Sequence, residues 1–176
     1  VPLKFDHIMS AVNIKIGSVV AGEIRSITFK NVYNKGEYLV DQGVWVVDKT
    51  SVGDFTVKME NGKFVSSGND ASGTLVNTDD ATFMMIPQNP GENAEMVIEF
   101  YDSATGHLYS DGEGAYKPAL RGSISGDNWD KRKTTNYMLS IDESFTLTIE
   151  PVGKKLDAHF VIGYANVTVD GIDNWT

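Results

Sequence analysis

Leu3-Lys4-Phe5-Asp6-His7-Ile8-Met9-Ser10-Ala11-Val12-Asn13-Ile14-Lys15-Ile16 decides the fold. Its second half, Val12 to Ile16, alternates apolar and polar without a break, the pattern of a strand with one buried face. Its first half alternates in the other phase, with Phe5, His7 and Met9 on odd positions. A one-residue slip turns every side chain to the opposite face. A phase switch inside one strand therefore predicts either an extra residue, such as a bulge near Ser10-Ala11, or a crossing between two sheets there, or burial on both faces. Val12, Ile14 and Ile16 are expected to face a core.

The same pattern recurs along the chain. Ile24 to Val32 has apolar residues on both parities, which predicts partial cover on both faces. Val44 to Val47 is a short apolar run. Asp54 to Met59 alternates, and Glu60-Asn61-Gly62-Lys63 supplies an Asn-Gly turn into Phe64-Val65, a hairpin signal. Further strands are expected at Thr74 to Asn77, Ala81 to Ile86, Glu95 to Tyr101, Leu108-Tyr109, Thr134 to Ile141, Phe145 to Ile149, Ala158 to Ile162 and Val167 to Val169. No window of helical length carries a 3.6-residue period. Short strands at roughly ten-residue spacing with Gly/Asn/Asp turns indicate an all-β antiparallel sandwich, or two stacked sandwich lobes. Pro87-Gln88-Asn89-Pro90-Gly91 is the strongest break in the sequence. It sets an expected division into lobes 1–88 and 89–176.

With 176 residues and 41% hydrophobic content, the chain can bury a sizeable core. Its net charge of −9 opposes binding to nucleic acid or to an anionic membrane surface. The absence of cysteine rules out disulfides, thiolate metal sites and cysteine nucleophiles. No apolar run reaches the ~18 residues that would cross a bilayer. The chain starts at Val1, directly before a strand, and is expected to be a processed or excised piece of a longer precursor.

Candidate chemistry is thin. His7, His107 and His159 are far apart, with no ligand at metal-binding spacing, and read as ordinary strand or turn histidines. Asp79-Asp80, Asp111 with Glu113, and Asp127 with Asp130 do not match the calcium loop and read as solvated turn carboxylates. No nucleophile elbow or phosphate-binding glycine loop is present. Neither catalytic residue nor cofactor is expected. Trp45, Trp129 and Trp175 with Tyr101, Tyr109 and Tyr116 are core packing or a sugar-stacking platform. Trp129, in a polar loop, is the best candidate for exposure, and Trp129 and Tyr116 are the candidate glycan contacts. Asn166-Val167-Thr168 and Asn174-Trp175-Thr176 match the N-glycosylation acceptor pattern.

The series Phe5-x-His7-x-Met9-Ser10-x-Val12-x-Ile14-x-Ile16 resembles a signature in the fimbrillin-like proteins of Bacteroidetes, the Mfa-like and FimA-like subunits of type V pili. Glu23 to Val32 resembles the family's following strand. Ile86-Pro87-Gln88 resembles its aliphatic-Pro-Gln segment. Trp129 followed by Tyr137 to Ile141, and the closing Ile172-Asp173-Asn174-Trp175, resemble its later landmarks. The family-motif packing positions are thus Phe5, His7, Met9, Ser10, Val12, Ile14, Ile16, Pro87, Gln88, Trp129, Tyr137 and Trp175.

The resemblance implies transthyretin-like Greek-key sandwiches, export to the outer-membrane surface as a lipoprotein precursor, and non-enzymatic assembly into fimbriae by strand donation between subunits. Its implied partners are other fimbrial subunits, in a homo- or hetero-polymer, with host or bacterial surface ligands beyond them. It also implies that an N-terminal part of the family is missing ahead of Val1. Asp102-Ser103-Ala104 resembles an O-glycosylation tripeptide of Bacteroidetes. The rival reading is a carbohydrate-binding sandwich module of a surface or secreted glycan-utilisation protein. A secreted hydrolase is the more distant one.

Overall fold

The computed structural model describes residues 7–65, 74–75 and 82–152. Every regular element among them is a strand: β1 (Ser10–Val19), β2 (Gly22–Tyr33), β3 (Gly36–Leu39), β4 (Val44–Val47), β5 (Val52–Val65), β6 (Thr74–Leu75), β7 (Phe83–Met85), β8 (Glu95–Asp102), β9 (Leu108–Tyr109), β10 (Leu120–Ser123), β11 (Thr134–Ile141) and β12 (Leu147–Val152). One sheet runs β12-β11-β1, with β6 and β7 both on the far flank of β1. The other runs β10-β8-β2-β5, with β9 on β8. β3 and β4 form a separate two-stranded ribbon.

The two sheets face each other across one core. Val12, Ile14, Ile16, Leu139, Ile141 and Ile149 come from the first sheet, and Ile24, Ile27, Phe29, Met96, Ile98 and Phe100 from the second. Alternation along each strand sends these side chains inward and the polar ones outward, as a sandwich requires. The fold class is therefore an all-β sandwich, as the strand pattern predicts. One pair departs from antiparallel order: β1 and β11 run parallel, from Ala11 opposite Thr134 to Val19 opposite Ile141. The pair lies inside its sheet, covered on both lateral edges by β12 and by β6 and β7.

Four sequence expectations are corrected. The bulge of β1 falls between Ile16 and Val19, not near Ser10. Residues 7–9 precede the strand, so their opposite phase demands no bulge there. Gly17-Ser18 supplies the slip, and it brings Val19 into the core after Ile16. In β2 the mixed parity reflects bulges rather than two covered faces. Register slips between Ile24 and Ser26 and again between Phe29 and Val32, so Ile24, Ile27, Phe29 and Val32 all turn inward. Asn31 sits at the second slip with φ of 56°, a region Asn tolerates, and its amide N–H donates to Asp54.

Asn61-Gly62 does not turn a hairpin. β5 continues through it and keeps β2 as its partner on both sides, from Val52 opposite Tyr33 to Val65 opposite Gly22. Gly62, at φ 67°, absorbs the extra residues as a bulge. The division at residue 88 does not separate the described residues into lobes. β1 pairs with β11 and β2 with β8, so both sheets draw strands from both sides of it. Pro87-Gln88 is a crossing between the sheets, as its hydrogen bonds below make plain.

Gly22 shows how closely the pieces fit. A Cβ there would lie 2.2 Å from the Phe100 ring and 2.4 Å from the backbone oxygen of Tyr101. The ring can shift but the backbone cannot. Gly22→Ala is expected to lower unfolding stability by about 2–3 kcal/mol, read as a fall in the urea midpoint with an unchanged m-value.

Candidate functional site

The described residues hold no catalytic constellation. No group of three or more His, Asp or Glu among them could share a metal ion. Several of their carboxylates are occupied in structure. Asp102 accepts from the Ala104 N–H at 2.9 Å and from the Thr105 hydroxyl, closing the turn after β8. The Thr105 hydrogen bond chiefly holds the Asp102 pKa below its ordinary value. Glu99 accepts from Ser110 at 2.5 Å and Ser26 at 2.6 Å, and those two hydroxyls lower its pKa, Ser110 more. Arg121 bridges Glu95 and Asp111. These are caps and struts, consistent with a scaffold.

The sequence-selected residues converge on one strut. The Gln88 carboxamide, buried, accepts from the Tyr33 N–H at 2.9 Å and donates to the Tyr33 carbonyl at 2.9 Å and the Ile86 carbonyl at 3.1 Å. It thus pairs with β2 as a peptide unit would. Its own backbone pairs in both directions with Trp129, at 3.0 and 2.8 Å. Trp129 is fully buried, and its indole N–H donates to the Tyr137 hydroxyl at 2.8 Å. The rings of Trp129 and Phe83 meet Phe29 edge-on, at centroid distances of 5.5 and 4.7 Å. Burial first, and then the Asp127 carboxylate, raises the Tyr137 pKa well above its ordinary value, so the phenol stays protonated and donates.

Trp129 is therefore not the exposed platform that its polar neighbours predict. The residues around it make bends, while its own backbone pairs with Gln88 and its ring enters the core. Tyr116 is exposed, at 53%, and stacks on His107 with centroids 3.7 Å apart. His7 is exposed and Met9 half-buried, at a cleft they share with Ala11, Met84 and Lys133. Ser10 is buried, its hydroxyl donating to the Lys133 carbonyl. Val12, Ile14 and Ile16 lie in the core, and Pro87 is half-buried. Ser103 and Ala104 are exposed on the turn that Asp102 closes. Phe5, Trp175, His159, Asp79, Asp80 and both glycosylation acceptor patterns lie outside the described residues.

Two surface features escape a reading of the sequence. Along β5 the inward residues Phe55, Val57 and Met59 pack on the core but are only partly buried. Strand order explains this. β10 lies opposite β12, where Gly122 abuts Ile149, so β5 lies opposite the far flank of β1. There β7 contributes three residues and β6 two. The second feature is the β3–β4 ribbon, with Val40, Val44 and Val46 at 83%, 46% and 54% exposure. In sequence these valines are indistinguishable from core.

The family model described as fimbrillin-like matches residues 1–153. The chain belongs to the fimbrillin-like family. Among the curated proteins and the solved structures, none matches it. Membership makes it a cell-surface fimbrial protein of a structural, non-enzymatic class that assembles with other pilus subunits. No helix among the described residues is long and apolar enough to cross a membrane.

Two tests address the struts. Gln88→Ala leaves the Tyr33 N–H and C=O without their partner, and is expected to cost about 2–4 kcal/mol in urea unfolding. Glu99 has a depressed folded pKa. Its contribution is full above the unfolded carboxylate value of about 4.3 and is lost as pH falls through the folded value. Glu99→Gln is therefore expected to flatten the decline of stability between about pH 5 and pH 3, measured from urea midpoints across that window.

Proposed function

We propose that this chain is a structural subunit of a surface fimbrium and joins its neighbours by β-strand addition on the β5 side of the sandwich. The observation that carries this is the half-covered row Phe55, Val57 and Met59, opposite a flank that among the described residues carries the short β6 and β7. A strand donated at the flank of the short β6 and β7 would cover that row and extend the backbone pairing of the sheet. Backbone pairing supplies affinity there, and alternate side chains supply register. Export to the outer-membrane surface as a lipoprotein precursor follows from the same reading, and the net charge of −9 favours a soluble subunit before assembly.

The exposed Tyr116, stacked on His107 with Lys117 Nζ 5.6 Å from its ring, favours a second reading as a glycan-contact surface. Glycan-array binding abolished by Tyr116→Ala would favour it over a purely structural role.

Fibre formation is the direct test. Val57→Arg places a charge in the half-covered row, and is expected to abolish heat-stable high-mass ladders on gels and fibres in electron micrographs. Circular dichroism of the variant should still report a folded β protein. Ladders formed by Val57→Arg as readily as by the parent chain would overturn the proposed contact.

A further inference from the structure

β2 and β5 belong to the second sheet, and the β3–β4 ribbon is the far end of the hairpin they form. Their regular pairing stops at Tyr33 opposite Val52. Beyond it the Asn34 N–H donates to the Ser51 carbonyl at 3.2 Å, the Ser51 hydroxyl donates to the Asn34 side-chain oxygen at 2.7 Å, and the Asp48 N–H donates to the Lys35 carbonyl at 3.0 Å. Asn34 and Lys35 on one strand thus face Asp48 to Ser51 on the other. The surplus is looped out as a turn, in which the Asp48 carboxylate accepts from the N–H and the hydroxyl of Thr50 at 2.9 and 2.7 Å. Extra residues on one strand bend a pair locally. The ribbon therefore leaves the second sheet at a bend and reaches the leading end of the first, where the Trp45 indole N–H donates at 2.7 Å to the carbonyl of Ile8, just ahead of β1.

Three pieces meet there, and each is tied to the other two. Trp45 joins the ribbon to the segment leading into β1. The Arg132 N–H donates to the Met9 carbonyl at 3.0 Å and joins that segment to the loop before β11. Lys131 of the same loop joins it back to the ribbon, its ammonium donating to the Gly43 carbonyl and lying 5.4 Å from the centre of the Tyr38 ring. Tyr38 and Trp45 sit opposite each other in the ribbon, with ring centroids 5.6 Å apart, so both attachments act through one aromatic pair. Residues 7–9 form no strand and are held by point contacts of this kind.

The ribbon can pivot as one piece. It joins neither sheet, and none of its residues belongs to the buried core. A two-stranded hairpin is marginal on its own, and a segment with few buried apolar contacts opens at low cost. The tip is stiffened, because the N–H groups of Gln42 and Gly43 both donate to the Leu39 carbonyl, at 3.2 and 2.7 Å. The pliable place is the bend. We infer that the ribbon is a clasp, hinged at residues 34–35 and 48–51, that holds the segment leading into β1 against the Lys131 to Lys133 loop. Trp45 and Lys131 are its latches. Because the contacts close a ring, loss of either latch loosens the third contact, Arg132 to Met9. β1 from Ser10 onward keeps its own pairing with β11 and β7. The clasp does not depend on the strand addition proposed above.

Hydrogen exchange resolved by NMR tests this on the full chain. Trp45→Phe keeps the ring and loses the donor, and Lys131→Met keeps the stem and loses the charge. Each is expected to speed exchange of the Arg132 amide about fivefold, and Lys131→Met to speed that of the Trp45 indole N–H by a similar factor. The double variant should fall short of the product of the two single effects, as contacts in one ring require. The amides of Ile98 and Phe100, within β8, should exchange as in the parent, which shows that the sandwich is intact. An Arg132 amide insensitive to both latches, a double variant equal to the product, or acceleration that spreads equally to β8 would overturn the clasp.

Discussion

The Gln88 carboxamide stands in for a peptide unit, and the rest of the sandwich depends on it. On one side it completes the pairing of β2 at Tyr33. On the other its backbone pairs with Trp129, whose ring packs against Phe29 and bonds Tyr137 on β11. Hydrogen bonding in this direction stitches one sheet to the other, which a sandwich held only by apolar contact lacks. The cost of leaving buried backbone groups unpaired makes the crossing specific for an amide side chain. Pro87 ends the run after β7 and directs Gln88 into this position. Asp127, Tyr137 and Trp129 extend the network into the core, where the protonated phenol is the donor. Apolar packing supplies most of the stabilisation; the amide strut supplies the alignment.

The sequence is most informative where one face is buried and nothing interrupts the pairing. Val12 to Ile16 and Thr134 to Ile141 read cleanly because each keeps its period of two through an unbroken register. Legibility fails at bulges. In β2 the slips at Arg25 and Asn31 change parity twice, so a single inward face looks like two covered ones. In β5 the Asn-Gly pair that would close a two-residue hairpin instead absorbs a bulge, because β2 remains available as partner on both sides. That choice is made by a strand thirty or more positions away and leaves no local trace. Trp129 is misread for a related reason: its neighbours are polar because they bend, while the pairing that buries its ring comes from Gln88. The surface features are the least legible. Val40, Val44 and Val46 have the residue types of a core and the exposure of an interface, and sequence reports only the first.

A fimbrial subunit must be stable alone yet leave something unfinished for its neighbour. The buried aromatic cluster, the turn-closing Asp102 and the hydroxyl-clamped Glu99 serve the first requirement. On the proposed reading the second falls at the margins, where the row Phe55, Val57 and Met59 lies opposite the short β6 and β7, and where the β3–β4 ribbon exposes its valines. Exposed edges and apolar faces are liabilities in a solitary protein. In a member of the fimbrillin-like family they are the surfaces on which assembly can act, and the acidic remainder of the molecule limits contact elsewhere.

Hydrogen–deuterium exchange, compared between the isolated chain and assembled fibres, tests the account most directly. Amides of β11, β2 and β8, already paired on both sides, should exchange equally slowly in the two states. Protection gained on assembly should include the flank of β1, β6 and β7, where a donated strand would pair. Protection gained only along β10 and β12, or nowhere, would contradict the account.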